Sequence, residues 1–296
     1  MSITPTAEQR AIVGFPLRPL RVTAGAGTGK TTTMALRLEH LVRSGQVAAE
    51  QALGITFTNK AAEELADRLR SRLPELAAEG REVEVNTYHG FAHGLLNEFG
   101  PLVGVEREAT LVTPGYARQL LREALAAEPH EMLDLTDPGR RVDELVALSG
   151  QLGDHLLGPE QLQQPGNGEV EARRAEMARV LERYRARKRE LGTVDFADLI
   201  AAAHRLVTEY PEIAERVRDR YRVVLLDEYQ DTNPAQRELL RAIFSDGFPV
   251  TAVGDADQTI YEWRGASLHN FARFREHFLG PGGAPAATLH LSVNRR

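Results

Sequence analysis

The chain has 296 residues, 42% of them hydrophobic and 26% charged, which is enough apolar material to bury the core of one large or two medium domains. Its formal charge of −6 argues against a protein that coats nucleic acid through overall charge, no apolar run approaches the roughly 20 residues of a membrane-spanning helix, and the N-terminus lacks the basic flank and apolar stretch of a secretory signal. With no cysteines there are no disulfides or thiolate metal ligands, which fits a reducing, cytoplasmic setting and leaves metal binding by carboxylate or hydroxyl open.

In chain order, short apolar and β-branched runs predict strands at residues 20–23, 53–58, 83–87, 222–226, 250–253 and 287–293. Helical patterns at 30–43, 60–73, 90–99, 234–244 and 268–278 fall between most of them, the β-α alternation of a parallel sheet covered by helices. From about 101 to 191 the alternation stops, and helical periodicity is broken only by turn signals such as "TDPG" and "QQPGNG". The expected division is therefore an α/β domain over 1–100 and 192–296 with an all-helical insertion over 101–191.

The strongest local signal is "RVTAGAGTGKTTT", a strand running into Ala24-Gly25-Ala26-Gly27-Thr28-Gly29-Lys30-Thr31-Thr32 and then a helix. This is a P-loop: the glycines let backbone N–H groups turn around phosphate, the helix N-terminus adds partial positive charge, Lys30 reaches the terminal phosphates and Thr31 offers a hydroxyl to Mg²⁺. Only Lys30, Lys60 and Lys188 are lysines among 36 Lys and Arg, so a lysine in this loop suggests a site that needs a compact point charge. A structural tight turn between strand and helix is the duller reading. The second piece is "YRVVLLDEYQDTN", which puts Asp227 and Glu228 at the carboxyl end of a predicted strand, the edge where open α/β sheets bind ligands. There Asp227 can hold Mg²⁺ and Glu228 can polarise an attacking water; alone, such a pair can equally be solvated at a strand end.

"DEYQDTN" over 227–233 and "VGDADQTIYEWRGA" over 253–266 resemble motifs II and III of UvrD/Rep-type superfamily 1 DNA helicases. "TAEQ" ending at Gln9 resembles the Q motif, "ITFTNKAAEEL" motif Ia, "NTYHGF" motif Ib, "DFADLI" the segment after the helical insertion, and the final "LSVNRR" motif IV. The resemblance implies a RecA-like P-loop NTPase domain, the N-terminal part of an ATP-dependent 3′-to-5′ DNA helicase or translocase used in DNA repair or replication. It implies that Gln9 reads adenine, that Lys30, Thr31 and Asp227 hold phosphate and Mg²⁺, and that Glu228 is the catalytic base. It further implies that Gln258 senses the γ-phosphate and that Arg296 approaches it as an arginine finger does. The implied partners are single-stranded DNA, a single-strand/duplex junction and a second RecA-like domain in cis or in trans, with no membrane.

Phe57, Tyr261 and Trp263 are aromatics just beyond strands, where their faces can stack on any base, and Asn59, His89 and Arg264 can hold backbone or sugar. Core packing is the alternative for Tyr261 and Trp263. The stretch "RRAEMARVLERYRARKR" carries eight basic residues (Arg173, Arg174, Arg179, Arg183, Arg185, Arg187, Lys188, Arg189) against Glu176 and Glu182, and reads equally as a duplex-tracking helix or as a solvated face laced with ion pairs.

Two positions depart from the family pattern: Thr32 stands where many relatives place a nucleotide-contacting arginine, and Arg295 where a tyrosine is usual. His89 and His93 lack the glutamate of a zinc-protease motif, and Asp195 and Asp198 read as a helix start rather than a hydrolytic pair. Motifs V and VI are absent from these 296 residues, so the chain is expected to be a poor ATPase by itself. A P-loop kinase or nucleotide-binding repair factor competes, although motifs Ia, Ib and III have no task there. An ATP- and single-strand-binding module acting beside a partner chain is the non-enzymatic alternative.

Overall fold

The computed structural model describes residues 4–107, 109–163, 166, 168–245, 247–255, 258 and 268–294. The chain forms two compact units, Met1–Phe91 with Val207–Arg296, and Ala92–Leu206. These bounds differ from the expected 101–191 because helices at both ends of the insertion, α5 (Tyr88–Phe99) and α9 (Phe196–Glu209), run across them.

The first unit contains α1 (Ala7–Val13), β1 (Leu20–Ala24), α2 (Lys30–Arg43), β2 (Ala52–Thr56), α3 (Asn59–Arg72), α4 (Pro74–Ala78), β3 (Glu84–Thr87) and the start of α5. The second holds β4 (Thr110–Leu111), α6 (Pro114–Ala127), α7 (Pro138–Asp154), α8 (Glu169–Glu190), β5 (Thr193–Val194) and most of α9. The first unit then resumes with α10 (Pro211–Arg220), β6 (Val223–Leu226), α11 (Pro234–Phe244), β7 (Val250–Gly254), α12 (Leu268–Ala272), α13 (Phe274–His277) and β8 (Ala287–Leu291).

All six predicted strands form one parallel sheet in the order β3-β2-β6-β7-β1-β8. Strands β2, β6 and β7 are buried along their whole length, which is why their sequences are continuous apolar runs rather than alternating ones. The register pairs Leu226 with Ala252 and Val253 with Val22, so the carboxyl ends of β6, β7 and β1 meet at one rim. Beneath that rim Val22, Ala24, Leu225 and Val253 pack with Met34, Ala35 and Leu38 of α2 and with Leu65 and Leu69 of α3. Local sequence sets several helix starts: Thr58 caps α3, while Asn233 and Gln236 form a capping box on α11 with Pro234 at its first position. The helix expected over 268–278 is two helices, α12 and α13, separated at Arg273.

The second unit packs α6, α7 and α8 around Leu121, Leu125, Val142, Leu145, Val180, Leu181 and Tyr184. It also carries a two-residue parallel ladder between β4 and β5 that periodicity did not signal. The basic stretch of α8 is neutralised largely within the unit. Arg179 and Arg183 reach Glu128, Arg185 reaches Glu160, and Arg187 pairs with Glu190. Lys188 is 3% exposed and bound between Asp195 and Asp198, so it is withdrawn from any phosphate-tracking face. Those two aspartates start α9 by exchanging bonds: Asp195 N–H donates to Asp198 and Asp198 N–H to Asp195, each at 2.9 Å. Among the described residues no helix is long and apolar enough to cross a membrane.

Candidate functional site

The site grows from the junction of β1 and α2. Gly27 and Gly29 adopt φ values of 75° and 84°, a region that costs a side-chain-bearing residue about 1–2 kcal/mol, so the glycines are what allow the loop to curl. Thr28 is buried and closes the curl, its hydroxyl donating to the carbonyl of Gly25 at 2.8 Å. Gly29 caps α2 without a side chain, and the first turn of α2 therefore offers its N–H groups to an anion. Thr31 sits half-buried in that turn, and Ala24 and Ala26 complete the loop.

Across the rim, β6 delivers Asp227 and Glu228. Lys30 Nζ lies 2.9 Å from Glu228 Oε2, joining residues 198 apart in sequence. Asp227 is 3% exposed, and burial pushes its carboxyl up to about 7; the Glu228 charge adds to the rise, while the Glu228 N–H and the charges of Lys30 and Arg68 pull against it. Glu228 has φ 48°, one of two positive-φ residues other than glycine among those described, and backbone strain of this kind collects where function fixes a side chain. Two carboxylates held together, one of them ionised only reluctantly, form a donor set that suits a hard divalent cation.

Other candidates gather on this rim. Gln9 is 2% exposed, and its Nε2 donates to Thr33 of α2 at 3.2 Å while its Oε1 accepts from Thr6 N–H at 3.0 Å as part of the α1 capping box. A Cβ on Gly29 would stand 3.1 Å from Gln9 Nε2, so α1 rests directly on the P-loop. The amide keeps one spare N–H and one spare lone pair in this arrangement. Gln258 donates its N–H to the carbonyl of Asp255 at 3.2 Å, just beyond β7.

Phe57, Asn59 and His89 lie together at a neighbouring rim, where Thr56 at the end of β2 pairs with Thr87 at the end of β3. Phe57 is half-buried and Asn59 exposed, while burial lowers His89 to about 4, so it meets any ligand as a neutral imidazole. Tyr261, Trp263, Arg264 and Arg296 lie outside the described residues.

Five residues not singled out from sequence join the site. Arg68 of α3 donates to Thr32 Oγ1 at 2.9 Å and brings a guanidinium to the position where this chain has threonine in place of the arginine of the family pattern. Arg37 of α2, fully buried, donates to the carbonyls of Ile12, Phe15 and Pro16 and to Thr251, locking the C-terminal end of α1. Glu8 accepts from the backbone N–H and hydroxyl of Ser292 at 2.8 and 2.6 Å, clasping the exit of β8; these bonds hold its carboxyl below the usual range. Gln230 and Asp255 are buried beside Glu228 and the P-loop, a Cβ on Gly25 falling 3.9 Å from the Asp255 carboxylate. Of these, Glu8, Gln230 and Asp255 had a sequence signal, each lying, like Ser292, inside a motif string.

The family model described as UvrD/REP helicase N-terminal domain matches residues 5–279. The chain is 31% identical over 262 residues to an ATP-dependent DNA helicase PcrA of Leuconostoc citreum, covering 88% of the chain and 33% of that protein. It is 29% identical to proteins of the same name from Staphylococcus epidermidis and Staphylococcus aureus, covering 98% of the chain in both cases and 38% and 37% of those proteins. The chain thus spans little more than a third of the length of these curated relatives.

Proposed function

The chain belongs to the UvrD/REP helicase N-terminal domain family, and from that membership we propose that it is the ATP-Mg- and single-strand-binding part of a 3′-to-5′ DNA helicase or translocase. The first unit is the RecA-like motor domain and the second its inserted domain. The observation that carries this reading is the 2.9 Å contact between Lys30 and Glu228, which joins the phosphate loop to the acidic end of β6.

In this reading the loop 24–32 cradles the triphosphate through its N–H groups, Lys30 turns from Glu228 to the terminal phosphates, and Gln9 offers its spare donor and acceptor to the adenine edge. Arg68 supplies cationic charge beside Thr32. Asp227 and Thr31 hold Mg²⁺, which neutralises developing charge on the phosphates when bound. Glu228, freed from Lys30, orients and deprotonates the attacking water, Gln258 senses the γ-phosphate, and Arg296 approaches it as a finger. Phe57, Tyr261 and Trp263 stack on unpaired bases near a single-strand/duplex junction, while Asn59, His89 and Arg264 hold the backbone. Hydrolysis coupled to movement needs a second RecA-like domain, in cis or in trans, to close on the nucleotide. A DNA motor acts where DNA is, which with the lack of cysteines supports a cytoplasmic location.

The test is nucleotide and oligonucleotide titration of the chain. Lys30→Ala is expected to weaken Mg-ATP binding by about a hundredfold, close to 3 kcal/mol, with single-strand affinity kept. Trp263→Ala should weaken single-strand binding by about 1–3 kcal/mol with nucleotide affinity kept. Nucleotide binding indifferent to Lys30→Ala would end the proposal.

A further inference from the structure

We propose that Gln230 is a positioning residue that ties the Glu228 carboxylate to the end of β7 and so relays the state of the nucleotide to the segment bearing Gln258. This deepens the reading of Asp227 and Glu228 as hydrolytic groups and rests on it.

Gln230 is 1% exposed, and both ends of its amide are engaged. Its Nε2 donates to Glu228 Oε2 at 2.7 Å and, more weakly, to Asp231 Oδ2 at 3.3 Å; its Oε1 accepts the backbone N–H of Asp255 at 3.2 Å. Only one orientation of the amide works, because turning it over would set an oxygen against two carboxylates and an NH₂ group against an N–H. The fit is close on the β7 side as well: a Cβ on Gly254 would fall 2.6 Å from Gln230 Oε1 and 2.9 Å from the Phe271 ring. The carbonyl of Asp255 in turn accepts the N–H of Gln258. An unbroken path therefore runs Lys30, Glu228, Gln230, Asp255, Gln258.

Lys30 and Gln230 bind the same carboxylate oxygen, Glu228 Oε2. When Lys30 is drawn to a phosphate, Gln230 becomes the principal restraint on a side chain that leaves a strained backbone position. Any swing of that carboxylate toward a water then pulls on the amide, and through it on the Asp255 backbone. The Gln230 amide is itself shut off from water, so a displacement of the half-buried Glu228 carboxylate passes into the amide instead of being absorbed by its resolvation.

Trp263 is the only tryptophan and lies five positions beyond Gln258, so its emission reports on that segment. The chain is titrated with a non-hydrolysable ATP analogue and Mg²⁺, binding being followed by calorimetry and Trp263 by fluorescence. In Gln230→Met, which keeps the shape and removes the bonds, analogue affinity should stay within about threefold while the Trp263 response falls at least about fivefold, the low end of ordinary coupling between sites. Gln230→Glu, which keeps an acceptor for Asp255 but sets a carboxylate against Glu228, should lose the response too and serves if the methionine variant does not fold. A response retained in either folded variant, or absent from the parent, overturns the relay, as does a loss of response that only tracks lost affinity. Lys30→Ala separates the two ideas, since analogue binding unaffected by it refutes the nucleotide site itself.

Discussion

Two of the chain's three lysines sit in clusters with two carboxylates, and the clusters are built to opposite ends. In the first unit Lys30 meets one oxygen of Glu228, the adjacent Asp227 is buried with its carboxyl pushed up to about 7, and Glu228 holds a positive φ. In the second unit Lys188 bonds both Asp195 and Asp198, the aspartates cap each other's backbone, Tyr184 donates its hydroxyl to Asp195, and the ammonium lies 4.4 Å from the centre of the Tyr184 ring. Both clusters set two carboxylates against one lysine, but in the first only Glu228 bonds the ammonium and does so from a strained backbone, whereas in the second both carboxylates bond it. The difference separates a site prepared for a phosphate and its metal cation from a fastener of the fold.

The largest effect expected from this contrast is on stability. Lys188→Met leaves two half-buried carboxylates without their cation and should cost up to about 3–5 kcal/mol in urea unfolding, the range for a fully buried pair, with Mg-ATP affinity unchanged. Adding Asp195→Asn and Asp198→Asn should recover most of the loss. A Lys188→Met chain as stable as the parent would erase the distinction.

The next effect has the opposite sign. Asp227 binds its proton more tightly in the folded chain, at about 7, than at the ordinary aspartate value of 3.8. Its contribution to stability is thus fully present below pH 3.8 and is lost as pH rises through about 7. Asp227→Asn, with no proton to lose, should be more stable than the parent at pH 8 in the absence of Mg²⁺, by on the order of 3 kcal/mol, and its stability should be flatter from pH 4 to 8. Because a metal takes the ionised carboxylate, Mg²⁺ binding to the parent should weaken as pH falls below about 7.

How far sequence carried each cluster follows from how local its cause is. The P-loop was legible because glycine spacing, the strand before it and the helix after it lie within one short stretch, and Asp227 and Glu228 because an apolar run ends on them. The same locality exposed Asp195 and Asp198 as a helix start. Burial of Lys188 was not legible: its neighbours on α8 are arginines facing outward, and nothing in their order marks the one that turns inward. Contacts such as Arg68 with Thr32, 36 positions apart, and Glu8 with Ser292, 284 apart, exist only because the sheet brings their elements together. The two-residue ladder of β4 and β5 is too short to leave a period. Helix α1 did leave a mark, since "TAEQ" is a capping-box string as well as a motif, yet its seven residues are too few for periodicity to show.

The smallest effect tests whether Arg68 belongs to the charged cluster or merely decorates Thr32. Its guanidinium pulls the Asp227 carboxyl downward, after the larger opposing rise from burial and Glu228 and after the pull of Lys30. Removing the charge while keeping a donor for Thr32, as in Arg68→Gln, should therefore raise the Asp227 midpoint by a few tenths of a pH unit, roughly what a screened charge several ångströms away supplies. Lys30→Met should raise it further, because that charge is the stronger of the two. Carboxyl chemical shifts followed through a pH titration resolve both steps. An Asp227 midpoint that moves with Lys30→Met and not with Arg68→Gln would leave Arg68 as a hydrogen-bond donor only, and the arginine of the family pattern, replaced here by Thr32, would have no electrostatic substitute.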